Sequence, residues 1–210
     1  MRVPSNSNLT VFEGKYFNGM KVYPAELVKE YLECIEKFLD MSLNEHSRLY
    51  VFRFDLRYPH KYFCFSENSD ISTFIARLNS RLVADLKRKG KEGKSHMRYV
   101  WVKEREDSDN DHYHVAISLN KDVYFTKGLF GGKDRNLSKM IQDAWESVIE
   151  NCIPGQAGLV HFCENGDYRI NAKDKKGDEY KKCFERLSYL AKTKTKKFGN
   201  GQKNIGSSRK

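Results

Sequence analysis

The chain has 210 residues, 39% of them hydrophobic and 31% charged, and its 38 Lys and Arg against 28 Asp and Glu give a formal net charge of +10. That length fits one compact domain with a tail, and the positive balance favours a polyanionic partner such as nucleic acid. Apolar runs of no more than about four residues exclude a membrane-spanning helix, the opening MRVPSNSN lacks the apolar core of a signal peptide, and five scattered cysteines without CxxC spacing point to the reducing cytoplasm and away from a disulfide scaffold.

In chain order, Asn18-Gly19 in YFNGMKVY supplies two positive-φ positions for a type I′ hairpin turn. From Pro24 the apolar spacing turns helical through Leu27, Val28, Tyr31, Leu32, Ile35, Phe38 and Leu39. RLYVFRFDLRYP alternates Phe52, Phe54 and Leu56 with Arg53, Asp55 and Arg57, which predicts a half-buried strand with a polar outer face ended by Pro59. A second amphipathic helix over residues 70–88 runs into the basic stretch KRKGKEGK. MRYVWVKE and HYHVAISL, separated by the polar DSDND, predict an antiparallel hairpin. A third helix is expected over residues 136–150. Residues 158–163 and 167–171 flank Asn165-Gly166 as a further hairpin, and a last helix should cover residues 175–191. The final 19 residues carry seven Lys or Arg and no acid, which predicts a basic, mobile tail. Helices interleave with paired strands, so the expectation is an α+β fold: about five antiparallel strands with helices packed on one face.

His112-Tyr113-His114 is the sharpest chemical feature. On a strand, residues two apart share a face, so two imidazoles stand side by side at chelating distance while Tyr113 packs on the other side. Across the hairpin lie Glu104 and Glu106, of equal parity, and Asp107, Asp109 and Asp111 crowd the turn. Either glutamate would complete a His-His-carboxylate set with open positions, a mix suited to Mn²⁺ or Mg²⁺ as a Lewis acid. Tyr189 and Lys192, three residues apart on a helix, share a side, where an ammonium can stabilise a phenolate nucleophile. His161-Phe162-Cys163 repeats the same-face spacing, with Cys152 nearby, but no fourth ligand suggests itself. His46, His60 and His96 read as surface or loop residues. The glycine turn at residues 129–133 lacks the framework of a phosphate-cradling loop.

The order VFRFDLRYP, HYHVAISL, YLAK resembles the rolling-circle replication initiators of the HUH endonuclease superfamily. The runs VWVKERE and RLSYLAKTKTK are similar above all to the initiators of filamentous phages and their prophage relatives. The resemblance implies an RRM-like (ferredoxin-like) five-stranded antiparallel sheet, a divalent metal on its central strands, and a tyrosine that nicks single-stranded DNA. Carried over, His112 and His114 are the metal-binding histidines. Glu104, eight residues before the first of them, is the acidic ligand, Tyr189 the nucleophile and Lys192 its basic companion. The implied reaction is metal-dependent transesterification at single-stranded or hairpin origin DNA, leaving a 5′-phosphotyrosyl bond and a 3′-hydroxyl primer. Host helicase and polymerase would be further partners, and no membrane would be involved.

Tyr113 departs from the aliphatic residue common between the two histidines. Tyr180, nine residues before Tyr189, is off its helical face, which favours a single nucleophile. Residues 1–48 then form an N-terminal hairpin and helix packed on the core, residues 49–191 the endonuclease domain, and residues 192–210 the flexible tail. Arg53, Arg57, Lys87, Arg88, Lys89, Lys91, Lys94, Lys194, Lys196 and Lys197 are the expected phosphate contacts. The alternatives are a non-catalytic RRM-like module for single-stranded nucleic acid, or an HUH transposase or relaxase.

Overall fold

The computed structural model describes residues 1–4, 6–59, 68–105, 110–128, 136–152, 159–199 and 201–209, with residues 68, 151 and 152 described in backbone only. His60, Glu106, Asp107, Asp109, the glycine turn at 129–133 and the Cys152 side chain lie outside the described residues. In chain order the elements are β1 (Arg2–Val3), β2 (Asn6–Phe12), β3 (Tyr16–Phe17), β4 (Met20–Lys21), β5 (Leu27–Val28), α1 (Lys29–Glu45) and β6 (Arg48–Arg57). There follow α2 (Asn68–Arg88), β7 (Arg98–Glu104), β8 (His112–Asn120), α3 (Leu137–Cys152), β9 (Leu159–Asn171), α4 (Asp178–Ser188) and β10 (Ile205–Ser207).

The chain is a mixed α/β structure around a five-stranded sheet in the order β10-β7-β8-β6-β9, every pairing antiparallel. Side chains alternate across it and make two cores. On one face Tyr50, Phe52, Phe54, Leu56, Tyr113, Val115 and Ile117 meet the apolar stripes of α2 and α3. Trp145 is fully buried there, with its indole N–H donating to the Arg57 carbonyl at 2.9 Å. On the other face Leu49, Val51, Val100, Val102, Ala116 and Ile170 pack against α1 and α4. The N-terminal strands join this second core, with β3 and β4 turning at Asn18 and Gly19, both at positive φ.

Four expectations need correction. Helices cover both faces of the sheet, not one. In β6 both parities are buried from Leu49 to Leu56, so Arg53 and Asp55 face a polar interior where the alternation suggested solvent. Asn165-Gly166 does not turn a hairpin. Residues 159–171 form one long strand against β6, whose register jumps from Phe52↔Asp167 to Phe54↔Phe162, and the pair sits in that bulge. Asn165 takes the positive φ of 51°, and a Cβ on Gly166 would press the Cys163 carbonyl at 3.2 Å.

The fourth correction concerns the tail. After α4, Leu27 bridges Lys192, the Arg105 N–H donates to the Thr195 carbonyl at 2.9 Å, and β10 pairs with β7 from Ile205↔Val102 to Ser207↔Val100. The basic composition obscured this strand. Without it, one edge of β7 would present unpaired N–H and C=O groups.

A chain ended after Gln202 therefore loses the edge strand. Urea unfolding should show a stability loss of about 1–3 kcal/mol. An unchanged midpoint would mean that β10 contributes nothing to the fold.

Candidate metal centre

The sheet face against α1 and α4 is apolar for only half its length. Past Val51, Val102 and Ala116 it turns polar, because the same parity continues into Arg53 and Asp55 on β6, Glu104 on β7, and His114 and His112 on β8. Register does the assembly: Glu104 pairs with His112 on one side of β8, and Asp55 with His114 on the other.

The Nε2 atoms of His112 and His114 lie 3.2 Å apart, and Glu104 Oε2 is 3.2 Å from His114 Nε2. All three ligand atoms fall within 4.8 Å of one another. Nδ1 of His114 is 2.6 Å from Asp55 Oδ1, a distance at which the imidazole N–H donates to the carboxylate and fixes the ring with Nε2 towards Glu104. A carboxylate oxygen and two imidazole nitrogens thus converge on one point. Adjacent ligands of a small octahedral cation stand about 3 Å apart, so this donor set fits such an ion.

Electrostatics agree with that fit. Burial, followed by the neighbouring His114, lowers His112 to about 4, which leaves it the neutral imidazole that ligates metals. Burial would raise the two acids, but partners outweigh it. The His114 hydrogen bond and the charges of His114 and Arg53 bring Asp55 to about 2, and His114 and Lys196 hold Glu104 well below the usual carboxylate range. Lys196, expected on a mobile tail, is buried instead. Its Nζ donates to Glu104 Oε1 at 2.8 Å and to the Lys192 carbonyl at 2.6 Å, and burial pulls its ammonium down to about 8.

Above the cluster stands Tyr189. α4 ends at Ser188, and a 3-10 turn over Tyr189–Ala191 replaces the helix expected to reach residue 191. The Tyr189 ring is 5.9 Å from the His114 ring, with Lys192 Nζ 3.9 Å and the Arg53 guanidinium 4.8 Å from its centroid. Arg53 Nη2 also approaches His114 Nδ1 at 3.0 Å, while its buried Nε has no hydrogen-bond partner among the described residues. Tyr23 packs edge-on to Tyr189 at 4.9 Å and lines a cleft of about 620 Å³ with Arg105, Lys192 and Lys194. Tyr180 is elsewhere: fully buried in the core, it donates to Asp40 at 2.9 Å.

The structure thus brings together His112, His114, Glu104, Tyr189, Lys192 and Arg53. Lys194 and Lys197 are exposed after α4 and Arg57 is exposed at the end of β6. The basic stretch is not brought there. The Asn120 amide and backbone N–H bond to the Lys94 carbonyl and Ser95 hydroxyl, so Lys94 sits at the far end of β8, eight residues or about 26 Å of strand from His112. Lys87, Lys91 and Lys94 are exposed at that end, and Arg88 and Lys89 pair with the buried Asp85. Sequence reasoning missed Asp55, the burial of Arg53 and Lys196, and the cleft residues Tyr23 and Arg105. Only Asp55 left a signal, being two residues from Arg53 on a recognised strand.

The family model of the YagK/YfjJ C-terminal domain matches residues 12–208. The chain belongs to this family. It is 35% identical over 194 residues to YagK of Escherichia coli K12, covering 86% of this chain and 93% of that one. It is 32% identical over 201 residues to YfjJ of the same organism, covering 87% and 95%. Both relatives are named as uncharacterized proteins. No solved structure matches. The YagK/YfjJ match includes every residue of the centre, from Tyr23 to Lys196.

The two tyrosines should separate by stability. Tyr180→Phe strips a donor from Asp40 and is expected to cost about 1 kcal/mol, whereas Tyr189→Phe should stay within about 0.5 kcal/mol of the parent. Paired urea melts check this, and a larger loss for Tyr189→Phe would make the Tyr189 hydroxyl a structural hydrogen-bonding group.

Proposed function

We propose that this YagK/YfjJ-family chain is a metal-dependent endonuclease and strand transferase acting on single-stranded DNA, with an RRM-like HUH architecture and a role in initiating rolling-circle replication. The observation that carries the reading is the convergence of His112, His114 and Glu104 beneath Tyr189, a redox-inert ligand set under a nucleophile flanked by two cations. Mn²⁺ or Mg²⁺ held by these three ligands would supply Lewis-acid polarisation of the scissile phosphate.

The chain's own residues have distinct tasks. Asp55 fixes the ring of His114, and Lys196 holds one oxygen of Glu104 so that the other faces the histidines. Arg53, whose buried Nε–H has no acceptor among the described residues, can donate to a phosphate oxygen. Tyr189 attacks phosphorus, the bond from phosphorus to the 3′-oxygen breaks, and the phenolic proton ends on the released 3′-hydroxyl. Lys192 stabilises the phenolate as it forms. One phosphodiester replaces another, so the reverse attack by a 3′-hydroxyl rejoins the strand without ATP. The cleft formed by Tyr23, Arg105, Lys192 and Lys194 supports a path for the strand, its cations meeting phosphates and its tyrosine a stacked base.

The test uses end-labelled single strands tiling the DNA around the chain's own coding sequence, incubated with Mn²⁺ and run on a denaturing gel. The expected result is a covalent protein–DNA adduct, abolished by chelation and reduced about 10³-fold or more by Tyr189→Phe or His112→Ala. Binding without cleavage would select the non-catalytic module. Cleavage without adduct would select a hydrolase that uses water.

A further inference from the structure

We propose that Asp55, His161 and Cys163 form a second cation site for a thiophilic divalent ion such as Zn²⁺, beside the centre described above and chemically distinct from it. The sequence offered His161 and Cys163 on one strand face, with Cys152 nearby, but no further ligand to complete the set. The register of β9 on β6 supplies it, because Asp55 pairs with His161. His161 Nδ1 lies 3.7 Å from Asp55 Oδ2 and Cys163 Sγ lies 3.8 Å from Asp55 Oδ1. One ligand atom from each of the three residues falls within 4.8 Å of the others. Ligands around a tetrahedral Zn²⁺ at sulfur and nitrogen distances of about 2.3 and 2.0 Å are separated by about 3.5 Å, so the spacing fits.

The remaining chemistry also fits. Asp55 Oδ1 accepts from the His114 N–H and lies 3.8 Å from the thiol while Oδ2 faces His161 at 3.7 Å, so the carboxylate turns an oxygen towards each of the other two ligands. Cys163 is buried while His161 is largely exposed, which gives a closed thiol end and an open solvent end. Three protein ligands with one open position is the pattern of a zinc ion that keeps an exchangeable ligand. The bulge at Asn165-Gly166 starts two residues after Cys163, where the ladder to β6 breaks next to the thiol. Binding converts the thiol to a thiolate bonded to the metal and releases one proton to solvent. The separation in ligand type matters: the first centre holds no sulfur, so a sulfur-loving ion and an oxygen-loving ion would sort between the two. This site does not depend on the nuclease reading.

Cobalt(II) is the probe, titrated into the full chain after reduction with a phosphine. The expected result is a near-ultraviolet thiolate-to-cobalt charge-transfer band, one proton released per ion, and displacement of the band by one equivalent of Zn²⁺. Cys163→Ser should abolish the band, and His161→Ala, at an exposed position that does not threaten the fold, should weaken cobalt binding at least about tenfold. His112→Ala should leave the band in place. No band in the parent chain, or a band that survives Cys163→Ser, would overturn the site.

Discussion

Glu104 is ionised in a place that water does not reach, and its charge must be matched from within the protein. The match comes from both ends of the sequence span. His114 approaches one oxygen across the β7–β8 hairpin, and Lys196 approaches the other from beyond the last helix. Removing one member of such a buried pair leaves an uncompensated charge that costs about 3–5 kcal/mol. This explains why the C-terminal segment is pinned as it is. Lys196 must reach Glu104, and the chain after it then closes the β7 edge with β10.

The same constraint divides the sheet. One face carries α2 and α3 on apolar rows that run the length of β6 and β8, from Tyr50 to Leu56 and from Tyr113 to Leu119. The other is apolar only as far as Val51, Val102 and Ala116, and α1 and α4 cover that part. α4 gives way to a 3-10 turn where the polarity changes, which places Tyr189 and Lys192 over the ligands with Arg53 also against the ring. In the reading proposed here, the apolar half holds the scaffold rigid while the polar half keeps charged groups out of water.

Much of this was legible in the sequence because it is local. The His112–His114 spacing and the hairpin that sets Glu104 opposite His112 follow from strand period and pairing alone, and the step from Tyr189 to Lys192 survives the change from helix to 3-10 turn because three residues make about one turn of either. What stayed hidden depends on long-range pairing. The alternation in β6 looked like a solvent face because period two says which residues share a side, not what covers that side. Lys196 resembled its solvated neighbours Lys194 and Lys197, and only the fold picks one of them for burial. Asn165-Gly166 carries the chemistry of a turn, and the same positive φ serves a bulge when the flanking segments both pair with one partner strand.

Membership of the YagK/YfjJ family extends the question to relatives of nearly equal length that are named as uncharacterized. The central claim for this chain is that His112, His114 and Glu104 hold a divalent cation. The most direct measurement is a crystal grown with Mn²⁺ and recorded above the manganese absorption edge. The account predicts an anomalous peak within bonding distance of both histidine Nε2 atoms and of Glu104 Oε2, and loss of that peak in His114→Ala. A well-diffracting Mn²⁺ crystal with no peak among these three residues would contradict it.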